Sequence, residues 1–195
     1  MKVVFLDVDG VLNGDYMCYT KHAPDCDGYL GVASKHIRLL ADLLERSKDE
    51  SGERPAVVLM SSWKYDYDDY MANGYRNKTG KYLRERLRKR GVSIYETTTK
   101  YEAEHFLRGD GIANYLIQHK DIAEYVILDD ESFDFYRYDE LIPHFVHTDY
   151  KLGLTEADVE KAVAILNGGD VSRPKARKRA DGCAIIKPDG PNKGI

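Results

Sequence analysis

The chain holds 195 residues, 43% of them apolar and 32% charged, with a formal net charge of −4 at pH 7. That is the balance of an ordinary soluble protein, long enough for one domain with a substantial core. No apolar stretch approaches the ~20 residues needed to span a bilayer and no signal-peptide pattern opens the chain, so no membrane partner is expected and the cytoplasm is the default location.

The first element is a strand over Val3–Leu6, β-branched or bulky throughout, as in a central parallel strand covered on both faces. It runs into Asp7-Val8-Asp9-Gly10, so two carboxylates emerge where the strand stops and the glycine lets the chain turn away. In open α/β sheets such strand ends are where ligands bind. Taken alone, Asp-x-Asp-Gly is a weak signal, because turns favour Asp and Gly on local geometry. A calcium loop of the EF-hand kind is a poor alternative, since it needs further alternating oxygen ligands, a late Glu and a preceding helix.

Asn13 to Ala33 is long for a strand-to-helix link and carries Tyr16, Tyr19 and Tyr29 together with Cys18 and Cys26. The two cysteines, with Cys183 far away, match no common zinc spacing, and we expect reduced, incidental thiols and no zinc. Ser34 is a candidate N-cap for a helix reaching about Lys48, with Ile37, Leu40, Ala41 and Leu44 on one face. After a polar loop at 50–55 comes a second buried strand, Ala56 to Met60, ending in Ser61-Ser62-Trp63-Lys64. Trp63 to Asn77 is rich in aromatic and acidic residues and reads as an interruption of the scheme. A basic helix over Lys81–Arg90 and a strand over Val92–Tyr95 follow.

Arg108-Gly109-Asp110-Gly111 sets a cation just before a helix that runs to His119. The strand Tyr125–Leu128 then ends in Asp129-Asp130-Glu131, and Pro143 to Asp149 is the last strand. Thr155 with Asp158 resembles a capping box for a helix to Leu166. Strands alternating with helices predict an α/β fold with a mostly parallel sheet. Beyond Gly168-Gly169 the composition shifts: residues 170–195 hold seven Lys or Arg against three Asp, net +4, leaving −8 on residues 1–169. The expected division is a domain over 1–169 and a basic, flexible tail over 170–195.

The strand ends therefore bring Asp7, Asp9, Asp129 and Asp130 to one sheet edge, an arrangement that needs a neutralising cation. The donors are hard oxygens without His or Cys, so magnesium is the expected ion. Ser61 and Ser62 offer hydroxyls to a phosphoryl oxygen, and a basic side chain would offset charge during transfer.

With these motifs in order, the chain resembles the haloacid dehalogenase (HAD) superfamily over residues 1 to about 166. Asp7-Val8-Asp9-Gly10 is similar to its first motif, Ser61 to its second and Asp129-Asp130 to its fourth. The resemblance implies a HAD-like Rossmannoid three-layer fold with only a small cap insertion and an open site. It also implies that Asp7 is the nucleophile of an aspartyl-phosphate mechanism and that Asp9 is the general acid and base. Asp7, Asp9, Asp129 and Asp130 would bind the metal, Asp9 through its backbone carbonyl, with either Asp129 or Asp130 in direct contact and Asp134 as third choice. Arg108 is our choice for the basic third motif, with Lys100 and Lys64 as rivals.

The Ser61-Ser62-Trp63-Lys64 segment, Arg108-Gly109 and Thr148-Asp149 through Gly153-Leu154-Thr155 resemble the compact HAD domains associated with RNA-repair proteins, although Lys64 stands where that subgroup often has Arg. The leading expectation is a phosphatase acting on a small phosphorylated metabolite or nucleotide. One alternative is a polynucleotide end phosphatase that meets RNA or DNA ends; another is a non-catalytic HAD-fold binding protein, which the intact Asp7 and Asp9 argue against. The aromatic segments at 13–33 and 63–77 are candidates for stacking on a base, or for packing loops onto the sheet.

Overall fold

The computed structural model describes residues 1–14, 31–74, 77–102 and 107–169. Five strands form one sheet: β1 (Lys2–Leu6), β2 (Ala56–Leu59), β3 (Ile94–Thr97), β4 (Glu124–Asp129) and β5 (Phe145–His147), in the order β3-β2-β1-β4-β5. Every pairing is parallel. The chain steps outward from β1 through β2 to β3, then returns across β1 to place β4 and β5 on the other side. The reversal falls between β1 and β4, and in such sheets the crevice beyond that point receives the ligand.

Side chains alternate between the two faces of the sheet. On one face Val4 and Leu6 join a core cluster with Leu40, Leu43, Leu83, Val159 and Leu166. These belong to helices α1 (Ser34–Arg46), α3 (Lys78–Arg88) and α5 (Glu156–Leu166). On the other face Val3 and Phe5 pack with Ile112 and Tyr115 of α4 (Arg108–Gln118), and with Phe135 and Leu141. Helices thus cover both faces of the sheet in three layers, the α/β architecture expected from the sequence.

Local chemistry explains most boundaries. Thr155 Oγ1 accepts from the Asp158 amide at 3.3 Å, while the Thr155 amide donates to Asp158 Oδ2 at 3.1 Å, so the anticipated capping box opens α5. The expected Ser34 cap is not made: the capping position is Ala33, Ser34 is already helical, and its hydroxyl accepts from Arg86 at 2.7 Å. The larger correction concerns residues 63–77. Trp63–Asn73 is a helix, α2, packed on α3, not an aromatic loop over the site. Trp63 and Tyr67 are buried in the core. Asp66 and Gly80 hold the two helices close, because a Cβ at Gly80 would lie 2.2 Å from the Asp66 carbonyl oxygen. The cysteines, Tyr16, Tyr19, Tyr29, Tyr75 and the basic segment at 170–195 lie outside the described residues. Among those described, no helix is long and apolar enough to cross a membrane.

Candidate active site

Strand register builds the site. Leu6 lies level with Leu59 on one side and Leu128 on the other. The ladder continues one step further, with the Asp7 amide donating to the Leu128 carbonyl and the Met60 amide to the Leu6 carbonyl, both at 3.0 Å. Asp7, Ser61 and Asp129 are therefore delivered to one edge by three neighbouring strands. All three are essentially fully buried.

Arg108 joins them from the first turn of α4. Its Nη1 lies 2.9 Å from Asp7 Oδ1 and donates to Asp129 Oδ2 at 2.6 Å, and its side chain is 14% exposed. Asp7, Asp129 and Asp130 each present a carboxylate oxygen, and the three atoms lie within 4.8 Å of one another. Asp7 Oδ1 is buried without a hydrogen-bond partner, so its Arg108 contact is an ion pair without hydrogen-bond alignment. One guanidinium cannot balance three carboxylates. Burial and the Asp129 charge hold the Asp7 carboxyl well above the ordinary carboxylate range, and Arg108 offsets only part of this. Burial likewise pushes Asp129 up to about 6 and raises Asp130. An orphaned buried oxygen inside an under-neutralised cluster of hard oxygen donors fits a magnesium ion.

Asp9 stands apart from that cluster. Its Oδ1 accepts from the Asn13 side-chain amide at 2.7 Å and its Oδ2 from the Trp63 indole at 2.9 Å. Gly10 has φ 68°, and a Cβ there would lie 2.3 Å from Asp130 Cγ. The glycine is thus required twice, for the turn and for the approach of Asp130. Ser61 is buried, its hydroxyl accepting from the Trp63 amide at 3.4 Å, and Ser62 is half-buried at the start of α2.

The rivals differ in what they pair with. Lys64 forms a buried ion pair with Glu102 at 3.0 Å, both side chains 3% exposed, and its ammonium also donates to the Met60 carbonyl at 3.1 Å. Lys100 is an exposed surface cation paired with Glu96. Asp134, the third choice for the metal, lies outside the cluster of Asp7, Asp129 and Asp130: its carboxylate accepts from the Gly109 and Asp110 amides at 2.8 and 3.2 Å, capping α4 from a distant loop. That cap fixes the helix end that carries Arg108.

Four supporting residues were not anticipated: Asn13, which also accepts from the Gly10 amide at 2.9 Å; the Trp63 indole; Glu102; and Thr148, whose hydroxyl donates to the Gly10 carbonyl at 2.8 Å. Trp63 and Thr148 stand in the segments that carry the subgroup resemblance and Asn13 lies four residues after Asp9, but nothing in the sequence shows these contacts, and Glu102 left no trace at all.

A parallel α/β sheet whose central strand ends in Asp-x-Asp-Gly, flanked by a buried serine, an arginine and paired aspartates, defines a domain of the HAD class. The chain belongs to the family of HAD domains in Swiss Army Knife RNA repair proteins, whose model matches residues 3–159. No curated protein and no solved structure matches the chain.

Proposed function

We propose that the protein is a magnesium-dependent phosphomonoester hydrolase working through an aspartyl-phosphate on Asp7. The observation that carries this reading is the Asp7, Asp129 and Asp130 cluster with Arg108 between two of its members. Asp7, the Asp9 carbonyl and Asp129 or Asp130 would hold the ion. When bound, magnesium would polarise the phosphoryl oxygens and offset their charge.

The chain's own groups account for the remaining steps. A carboxylate oxygen of Asp7 attacks phosphorus as the ester P–O bond breaks, and Asp9 gives its proton to the departing alkoxide. Asp9 then takes a proton from the water that attacks the phospho-Asp7, releasing inorganic phosphate and restoring the carboxylate. The Asn13 and Trp63 donors orient Asp9 for both transfers. Arg108 and the Ser61 hydroxyl stabilise the equatorial oxygens during transfer, with Ser62 as a further donor.

The family description favours a more specific second reading, a phosphatase that clears RNA ends. Inorganic phosphate release with magnesium and with EDTA, for the native chain and Asp7→Asn, tests the chemistry. Magnesium-dependent release that disappears in Asp7→Asn is expected. Undiminished release by Asp7→Asn would remove Asp7 from the nucleophile's role.

A further inference from the structure

An open cavity of about 450 Å³ covers Asp7, Asp9 and Arg108, and two exposed aromatic residues stand in its wall, Phe133 and Tyr150. We propose that these two rings form a platform that selects a phosphate ester bearing a nucleobase, as a free nucleotide or as the terminal nucleotide of a strand. The proposal rests on the phosphatase reading above and names the substrate class.

The two rings come from loops that follow adjacent strands at the edge where Asp7 emerges. Phe133 lies four residues beyond the end of β4, and Tyr150 three beyond the end of β5. Neither position is an accident of a loose loop. Phe135 is fully buried two residues after Phe133, so the same turn sinks one phenylalanine into the core and leaves the other 37% exposed at the cavity. Phe133 is also the sole non-glycine residue with positive φ among those described, at 39°. A bulky residue adopts that conformation only where its surroundings enforce it, and such positions concentrate at functional sites. The Tyr150 turn is tied by Asp149, whose carboxylate accepts from the Lys151 amide and whose carbonyl accepts from the Gly153 amide, both at 2.8 Å.

Arg108 connects the platform to the chemistry. Its guanidinium carbon lies 4.0 Å from the centre of the Phe133 ring, while Nη1 reaches Asp7. Phosphate-facing cation and aromatic ring are thus in direct contact, which suits a ligand with its phosphate on one and a flat base on the other. Charge points the same way. Among the described residues the cavity wall carries Asp7, Asp9, Asp130 and Glu131 against Arg108. Beyond the carboxylates that would hold the metal, this lining offers no row of cations to pair with a run of phosphates. What it offers beyond the reacting phosphate is uncharged contact, and the rings supply it.

The test compares kcat/KM for phosphate release by the full chain with magnesium. Substrates are nucleoside 3′- and 5′-monophosphates, a short oligonucleotide with a terminal phosphate, and the base-free esters ribose 5-phosphate and glycerol phosphate. The quantity read is the preference for base-bearing over base-free esters. Removing one stacking partner lowers such a preference about 5- to 150-fold, and that is the expected loss in Phe133→Ala. Phe133→Trp should retain the preference and Tyr150→Ala should lower it, whereas Tyr95→Ala, at an exposed aromatic beside a different cavity, should not move it. A higher value for the oligonucleotide than for the mononucleotides identifies strand ends as the source of the base, and the reverse identifies free nucleotides. Equal turnover of both ester classes by the native chain, or a preference unmoved by Phe133→Ala and Tyr150→Ala, overturns the platform and leaves the phosphatase reading standing. No release from any ester overturns both.

Discussion

Replacing Lys64 with methionine would strand Glu102. In the native fold the two side chains are 3% exposed and 3.0 Å apart, and Glu102 also receives hydrogen bonds from Thr98 Oγ1 at 2.9 Å and the Tyr65 hydroxyl at 3.2 Å. The carboxylate is wedged against α4, since a Cβ at Gly111 would lie 2.7 Å from Glu102 Cγ. It therefore cannot swing to water without moving that helix. Breaking a buried pair on one side costs about 3–5 kcal/mol, because the surviving charge is uncompensated. Thr98 and Tyr65 retain part of the solvation, so the lower end, about 3 kcal/mol, is expected near pH 7. For a domain of this size that is a fall in Tm of roughly 6–12 °C. The double variant Lys64→Met/Glu102→Gln should recover most of the loss, since it leaves no buried charge. Urea unfolding followed by circular dichroism at pH 7 measures both variants. A loss below about 1 kcal/mol for Lys64→Met, or no recovery in the double variant, would refute the buried pair.

Other consequences are equally direct. The Asp129 carboxyl rises from an ordinary value of 3.8 to about 6 on burial, so the folded state binds its proton more tightly than the unfolded chain does. Stability of the metal-free protein should then fall by about 3 kcal/mol as pH climbs from 3.8 through 6. Asp129→Asn should flatten that slope in thermal melts with EDTA, and a slope unchanged in the variant would contradict it. Gly10→Ala should cost about 2–4 kcal/mol, combining positive φ with displacement of Asp130. It should also abolish the stabilisation gained when magnesium replaces EDTA in the melts; native-like stability would show that Asp130 does not press on Gly10. Asp134→Ala removes the distant cap of α4 and should cost about 1–2 kcal/mol while slowing turnover through a misplaced Arg108. Lys100→Ala should do neither, and a large effect there would reopen the choice between the two cations.

The sequence announced the parts of this site that depend on strand ends and hid those that depend on packing between elements. An apolar run halted by Asp7, Ser61 or Asp129 shows both the strand and the edge at which it stops. Lys64 gives no comparable sign. Three residues after Ser61 and cationic, it is indistinguishable in sequence from a phosphate ligand, and its burial depends on Glu102, 38 positions later. The role of Asp134, the third choice for the metal, was hidden for a related reason: its carboxylate is claimed by amides of a helix that precedes it in the chain. Helix α2 was illegible because Trp63, Lys64 and Tyr67 are the buried residues of its 11, too few for a periodic apolar stripe. Contacts with α3 stabilise it as a helix, and such contacts leave no local pattern.

Trp63 is the single tryptophan of the chain, fully buried, with its indole N–H bound to Asp9. The protein therefore carries one optical probe, wired to the residue assigned the proton transfers. Its emission reports from a single point in the molecule, free of averaging over other indoles. A change in the protonation or position of Asp9 should register there in real time, without a label, so that single-turnover experiments on the native chain can follow the acid–base partner directly.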